Sequence, residues 1–126
     1  MPFRFTGIDH VQLAAPTGCE ASARRFFGGL LGWEEIEKPE ALRARGGVWF
    51  WCGAHQVHIG IQESFVPATK AHPAFDVANL QALRAHLAAH GVPVADDETR
   101  SEDRISRFYA HDPFGNRLEF MEQHTH

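Results

Sequence analysis

One order of segments runs through the chain twice. Residues 8–14 are rich in Val, Leu and Ile and predict a strand, which Pro16, Thr17 and Gly18 break. Residues 20–31 have helical spacing, with Phe26, Phe27, Leu30 and Leu31 apolar, and Gly32 is placed to end the helix. Residues 33–38, 48–52 and 56–62 predict three strands, separated by Pro39, the Gly46-Gly47 pair and the turn at 53–55; residues 41–45 are ambiguous. Residues 63–70, with Pro67, read as a linker. The order then restarts with a strand at 71–77 and a helix at 80–90, capped by Asn79 and stopped by Gly91. Strands at 92–95, 106–111 and 116–122 follow, with a charged loop at 96–103 and a turn at 112–115. The expected fold is α+β: two tandem βαβββ modules, over about 5–62 and 71–122, forming an open, cleft-shaped barrel within a single domain over residues 1–126.

The repeat sorts the nine histidines. His10 and His72 each fall in the first strand of a module. His58 follows His10 by 48 residues, and Glu119 follows His72 by 47, each in the fourth strand of its module. Side chains alternate faces along a strand, so parity can be read directly. His10 and Gln12 oppose Val11 and Leu13; His58 opposes Val57 and Ile59; His72 opposes Phe75; Glu119 opposes Leu118 and Phe120. Four ligand-type side chains therefore sit on the faces away from the aliphatic rows, which are expected to pack on the helices. Of the remaining histidines, His55 and His111 fall in turns, His86 and His90 near a helix C-terminus that suits partial positive charge, and His124 and His126 in a polar tail.

The stretches Gly7-Ile8-Asp9-His10-Val11, Lys70-Ala71-His72-Pro73-Ala74-Phe75 and, above all, 108–120, with its Asp112-Pro113-Phe114-Gly115-Asn116 turn and Glu119, resemble the vicinal oxygen chelate superfamily. That superfamily includes glyoxalase I, bleomycin resistance proteins, fosfomycin resistance thiol transferases and extradiol dioxygenases. The resemblance covers about residues 5–122 and implies a glyoxalase-like fold with metal ligands at His10, His72 and Glu119. It implies a fourth ligand at position 58, where glyoxalase I-like members usually carry Glu and this chain has His58. That departure leaves Glu119 as the one carboxylate of the set, and so as ligand and base together.

Two imidazoles and a carboxylate leave open positions on a divalent metal and suit Zn, Ni, Fe, Mn or Co alike. Such a metal polarises two neighbouring oxygens of one small molecule. The expectation is a metal-dependent lyase or isomerase; the alternatives are an extradiol-type dioxygenase and a non-catalytic small-molecule binding or resistance protein. The resemblance also implies a homodimer, its sites within one chain or shared between two. Arg45, Arg104 and Arg107 are candidates to neutralise an anionic substrate, a solvated arginine being the ordinary outcome. Trp49 and Trp51 share one strand face and Phe50 takes the other, so one set is available to line a cleft. The loop at 96–103 is a candidate lid.

Other classes lack their signatures. The formal net charge is −4 with no basic block, which leaves nucleic acid without an electrostatic footprint. No apolar run approaches the ~18 residues of a membrane span, and no signal-peptide hydrophobic region follows Met1, so a cytoplasmic protein is expected. Cys19 and Cys52 alone make no disulfide framework.

Overall fold

The computed structural model describes residues 2–97 and 104–124. Two compact units divide the chain at Phe65 and Val66. In the first unit the strands are β1 (His10–Ala15), β2 (Glu34–Ile36), β3 (Val48–Cys52) and β4 (His55–Ile61), in the sheet order β1-β4-β3-β2. In the second they are β5 (Ala74–Asp76), β6 (Ala95–Asp96), β7 (Ile105–His111) and β8 (Arg117–Gln123), in the order β5-β8-β7-β6. The two orders are the same. In each unit the first strand runs parallel to the fourth and the remaining pairs are antiparallel. The fold is thus α+β and glyoxalase-like, with two open four-stranded sheets.

A parallel pair needs a crossover, and a helix supplies it in each unit. In the first, α1 (Glu20–Ala23) runs on into a π-helical stretch, Arg24–Leu30. That stretch buries both Phe26 and Phe27, and Phe27 packs on Phe50 at 5.8 Å and Trp33 at 5.3 Å between ring centroids. Gly32, at φ +75°, ends it. The ambiguous segment after Pro39 forms a short helix, α2 (Glu40–Arg43). In the second unit α3 (Leu80–Ala89) buries Leu80 and Leu87. Phe120 packs there between Phe75 and Phe108, at 5.7 and 5.3 Å. The aliphatic and aromatic rows on the helix side of each sheet are the core: Leu13, Val48, Phe50, Val57 and Ile59 in one unit, and Phe75, Phe108, Leu118 and Phe120 in the other.

Three expected boundaries move. β1 begins at His10, leaving Ile8 67% exposed. β5 begins at Ala74, so His72 lies just ahead of its strand and not within it. Pro73 has no N–H for the ladder, which stops the strand there. β6 is Ala95–Asp96, two residues paired to Tyr109 and Phe108, further along than 92–95. Most of the candidate lid at 96–103, and His126 of the tail, lie outside the described residues.

Candidate metal and substrate site

Strand register carries the placement of the candidate ligands. On the parallel pair of the first unit, Gln12 is opposite His58, and His10 is two residues before Gln12. On that of the second, Ala74 is opposite Glu119, and His72 is two residues before Ala74. His10 and His72 are therefore equivalent positions, as are His58 and Glu119. His58 is 5% exposed and Glu119 6%, although both point away from the helices.

In the first unit three aromatic rings form a pile. Trp49, directly opposite His58 on β3, lies on its ring at 3.9 Å and 4°. The His10 ring covers the other side of His58 at 4.2 Å and 14°. His58 Nε2 bonds to the Gln56 amide oxygen at 2.9 Å, so that nitrogen carries the proton and Nδ1 keeps its lone pair. His10 Nδ1 donates to the Asp9 carboxylate at 2.9 Å, which leaves Nε2 as its lone-pair nitrogen. Burial, reinforced by His10, holds His58 below the usual histidine range, favouring the neutral ring a metal ligand must be. Stacked rings send their lone pairs into parallel planes, so His10 and His58 do not converge on one point as they stand; one ring must turn for both to bind the same ion. A cavity of about 190 Å³ opens beside Trp49, lined also by Gln12, Lys38, Leu42 and Arg45.

In the second unit His72 Nε2 lies 2.9 Å from Glu119 Oε1. His72 Nδ1 lies 2.8 Å from the Lys70 carbonyl oxygen, which can only accept, so the proton is on Nδ1. In the neutral ring Nε2 then offers a lone pair toward a carboxylate that also offers lone pairs. Two such atoms 2.9 Å apart need a shared proton or a shared cation. Ligand bonds of about 2.1 Å meeting at a right angle put adjacent ligand atoms about 3 Å apart, so the pair fits neighbouring positions on one divalent metal. The bond from His72 to a backbone carbonyl is the usual outer support that orients a metal-binding imidazole, and Asp9 gives His10 the carboxylate version. Among the described residues no group of three or more His, Cys, Asp or Glu side chains stands gathered around one point.

Two residues of this site carried no clear sequence signal. Tyr109 is directly opposite Glu119 on β7 and meets the His72 ring edge-on at 5.5 Å. Burial and the Glu119 carboxylate both hold its phenol above the usual range, so it stays a proton donor. Arg117 lies over the Tyr109 ring, 4.2 Å from its centre. Arg107, for which solvation was the ordinary expectation, has a side chain only 7% exposed and one nitrogen 3.6 Å from Glu119 Oε2. The β7–β8 register puts Arg107 on Glu119's face, and nothing in the sequence showed that it would be covered. Arg45 and Arg104 are exposed. His55 and His111, expected in turns, are the first residue of β4 and the last of β7, and both are exposed; His90 bonds to the His86 carbonyl at 2.8 Å to close α3. Burial raises the pKa of both Cys19 and Cys52, which are free thiols.

A larger cavity, about 580 Å³, lies beside α3 between Gln81, Arg84, Asp96 and Ser106. Its Arg84 is already held by two bonds to Asp96, at 2.8 and 2.7 Å. Asp97 and Arg107 also line it, and His10, His58, His72 and Glu119 do not.

The comparisons with known proteins agree with this fold. The family model of the glyoxalase/bleomycin resistance protein/dioxygenase superfamily matches residues 7–120. No curated protein matches the chain. Among solved structures, a Bacillus anthracis protein assigned to the glyoxalase family is 51% identical, with a TM-score of 0.94 over 98% of this chain and 100% of that one. A lactoylglutathione lyase from Agrobacterium tumefaciens is 20% identical, with a TM-score of 0.72 over 93% of each chain. A mutant fosfomycin resistance protein from Listeria monocytogenes, complexed with Mn(II) and a dihydroxypropylphosphonic acid, is 18% identical, with a TM-score of 0.78 over 96% of this chain and 95% of that one. The latter two share the fold. With most of its length matched by the family model, and with both units built on one strand order, this chain belongs to the glyoxalase/bleomycin resistance protein/dioxygenase superfamily.

Proposed function

We propose that the protein is a metal-dependent enzyme of the glyoxalase type, a lyase or isomerase that binds a small molecule through two neighbouring oxygens. His10, His72 and Glu119 are the ligands, with His58 as the fourth. The observation that carries this reading is the His72–Glu119 pair: an imidazole nitrogen and a carboxylate oxygen 2.9 Å apart that must share a proton or a cation, with the second imidazole nitrogen already committed to the Lys70 carbonyl. His10 supports it, because its Nδ1 is likewise committed to an oxygen acceptor and Nε2 is left to donate. His58 joins the set by turning out of its stack between Trp49 and His10; left in place, it fixes the His10 ring instead.

A divalent metal held there supplies a Lewis acid for the two substrate oxygens. The chain's own residues do the rest. Glu119 is the one carboxylate of the set, so proton transfer at the substrate falls to its free oxygen. The Tyr109 phenol, held in its protonated form, donates toward that carboxylate and orients it. The functional unit is a homodimer with a cytoplasmic setting.

Metal analysis of the purified protein after reconstitution with Mn, Fe, Co, Ni or Zn tests the reading. Near-stoichiometric uptake is expected, lost in Glu119→Ala and His72→Ala. Uptake below about 0.2 equivalents per chain in the parent protein would leave the non-catalytic binding alternative standing, because folded-state ligands of this type should hold the ion.

A further inference from the structure

Arg107 is a buried charge that its neighbours among the described residues do not satisfy. It stands on β7 two residues from Tyr109, on the face that carries Glu119, with Met121 opposite. Its side chain is 93% buried, at 7% exposure. A guanidinium cannot shed its charge when buried, so it needs partners for both charge and N–H groups. Glu119 gives it a single contact of 3.6 Å, too long for a hydrogen bond. Its Nε is the one buried side-chain nitrogen or oxygen among the described residues with no hydrogen-bond partner. Two surface arginines behave in the opposite way: Arg24 grips Glu35 through two bonds at 2.9 and 3.2 Å, and Arg84 grips Asp96 at 2.8 and 2.7 Å.

Glu119 cannot settle Arg107 by itself. One of its oxygens already faces His72 Nε2, and Tyr109 also draws on the carboxylate. Arg117, two residues from Glu119 on the same face, adds a second positive charge over the Tyr109 ring. Among the described residues, the acidic groups near this cluster are Glu119, Asp97, whose field reaches Tyr109, and Asp96, which lines the larger cavity together with Asp97 and Arg107. If Glu119 shares its charge with a metal, the face is left with a buried, under-bonded guanidinium.

We propose that Arg107 anchors an anionic group on the substrate, a carboxylate or a tetrahedral phosphonate or phosphate, beside the metal ligands. The guanidinium fork fits two oxygens of either group, and Nε is one tine of it. A neutral substrate would leave that nitrogen unmet. The assignment rests on the metal-centre reading above and narrows it to substrates that carry a compact negative group next to the chelating oxygens.

Calorimetric titration of inorganic phosphate, and separately of acetate, into the protein with and without Mn(II) tests the assignment. The parent protein is expected to bind at least one of the two saturably, and the stronger one identifies the shape of the group. Arg107→Gln is expected to lose tenfold or more of that affinity while its Mn(II) affinity stays within threefold. Arg107→Lys, which keeps the charge and the bulk, is expected to lose about as much because it lacks the fork; it carries the test if the Gln variant does not fold. Absence of oxyanion binding in the parent, or equal binding in both folded variants, overturns the proposal. Failure of Mn(II) to bind at all counts against the metal centre instead, and the metal-free titrations still judge Arg107.

Discussion

Gly47 is where a single residue carries the most backbone geometry. It has φ +86°, and a Cβ added there would sit 2.3 Å from the Ile59 carbonyl oxygen. It immediately precedes β3, against β4, the strand that carries His58, and its N–H donates to Glu20 at 2.8 Å. Gly32 has φ +75° but nothing within 4 Å. Gly47→Ala therefore faces strain and a backbone clash, Gly32→Ala strain alone. Urea denaturation is expected to show a loss of about 3 kcal/mol for the first and about 1 kcal/mol for the second; equal losses would show that the clash does not matter. A glycine pair announces a turn in the sequence, but which of the two glycines is pressed against a neighbouring strand is decided only by that strand's arrival. Arg107 is the same lesson at the site. Its strand was legible and its burial was not, because burial is made by residues remote in sequence.

At the scale of elements, the bounds of both crossover helices were legible to within one residue, but the change of helix type in the first was not. Asn79, in the left-handed region at φ 64°, accepts from Ala82 N–H at 3.3 Å, and a helix signalled by cap, stripe and Gly91 forms where those signals stand. The first helix has the same length of apolar pattern, yet it turns from α to π at Arg24. Burying the consecutive Phe26 and Phe27 against one sheet decides that, and periodicity counted on an α-helical grid cannot show it. One tie on α3 is tertiary: Glu122 of β8 accepts from the backbone N–H groups of Asn79 and Leu80, both at 3.0 Å. The Leu80 N–H, and then that of Asn79, hold its carboxyl below the usual carboxylate range. A lowered folded-state pKa contributes stability above the unfolded value and loses it as pH falls through the folded one. Glu122→Gln is accordingly expected to melt earlier than the parent at pH 7, with the difference in Tm closing below about pH 4. A gap independent of pH would mean that Gln loses packing and not charge.

At the scale of the molecule, the repeat is the organising fact. The strand orders β1-β4-β3-β2 and β5-β8-β7-β6 make each unit half of one design, and the proposed ligands come as one pair from each. A homodimer admits sites within a chain or sites shared by two. Co-refolded His10→Ala and Glu119→Ala chains separate the cases: shared sites restore metal at one of the two positions in the mixed dimer, and sites within a chain restore none. Metal content of the isolated mixed species is the measurement.

The sequence by itself determined the doubled order of elements, the faces of the strands and the residue types at His10, His58, His72 and Glu119. These follow from local propensity and from alternation along a strand, which need no knowledge of neighbours. The tertiary structure decided the rest: the His58 ring between Trp49 and His10, the His72 proton assigned by the Lys70 carbonyl, Tyr109 against Glu119, and Arg107 buried with an unmet Nε. Each of these depends on cross-strand register and on the chain covering a side chain, and a pattern of single residues does not encode which distant group arrives there.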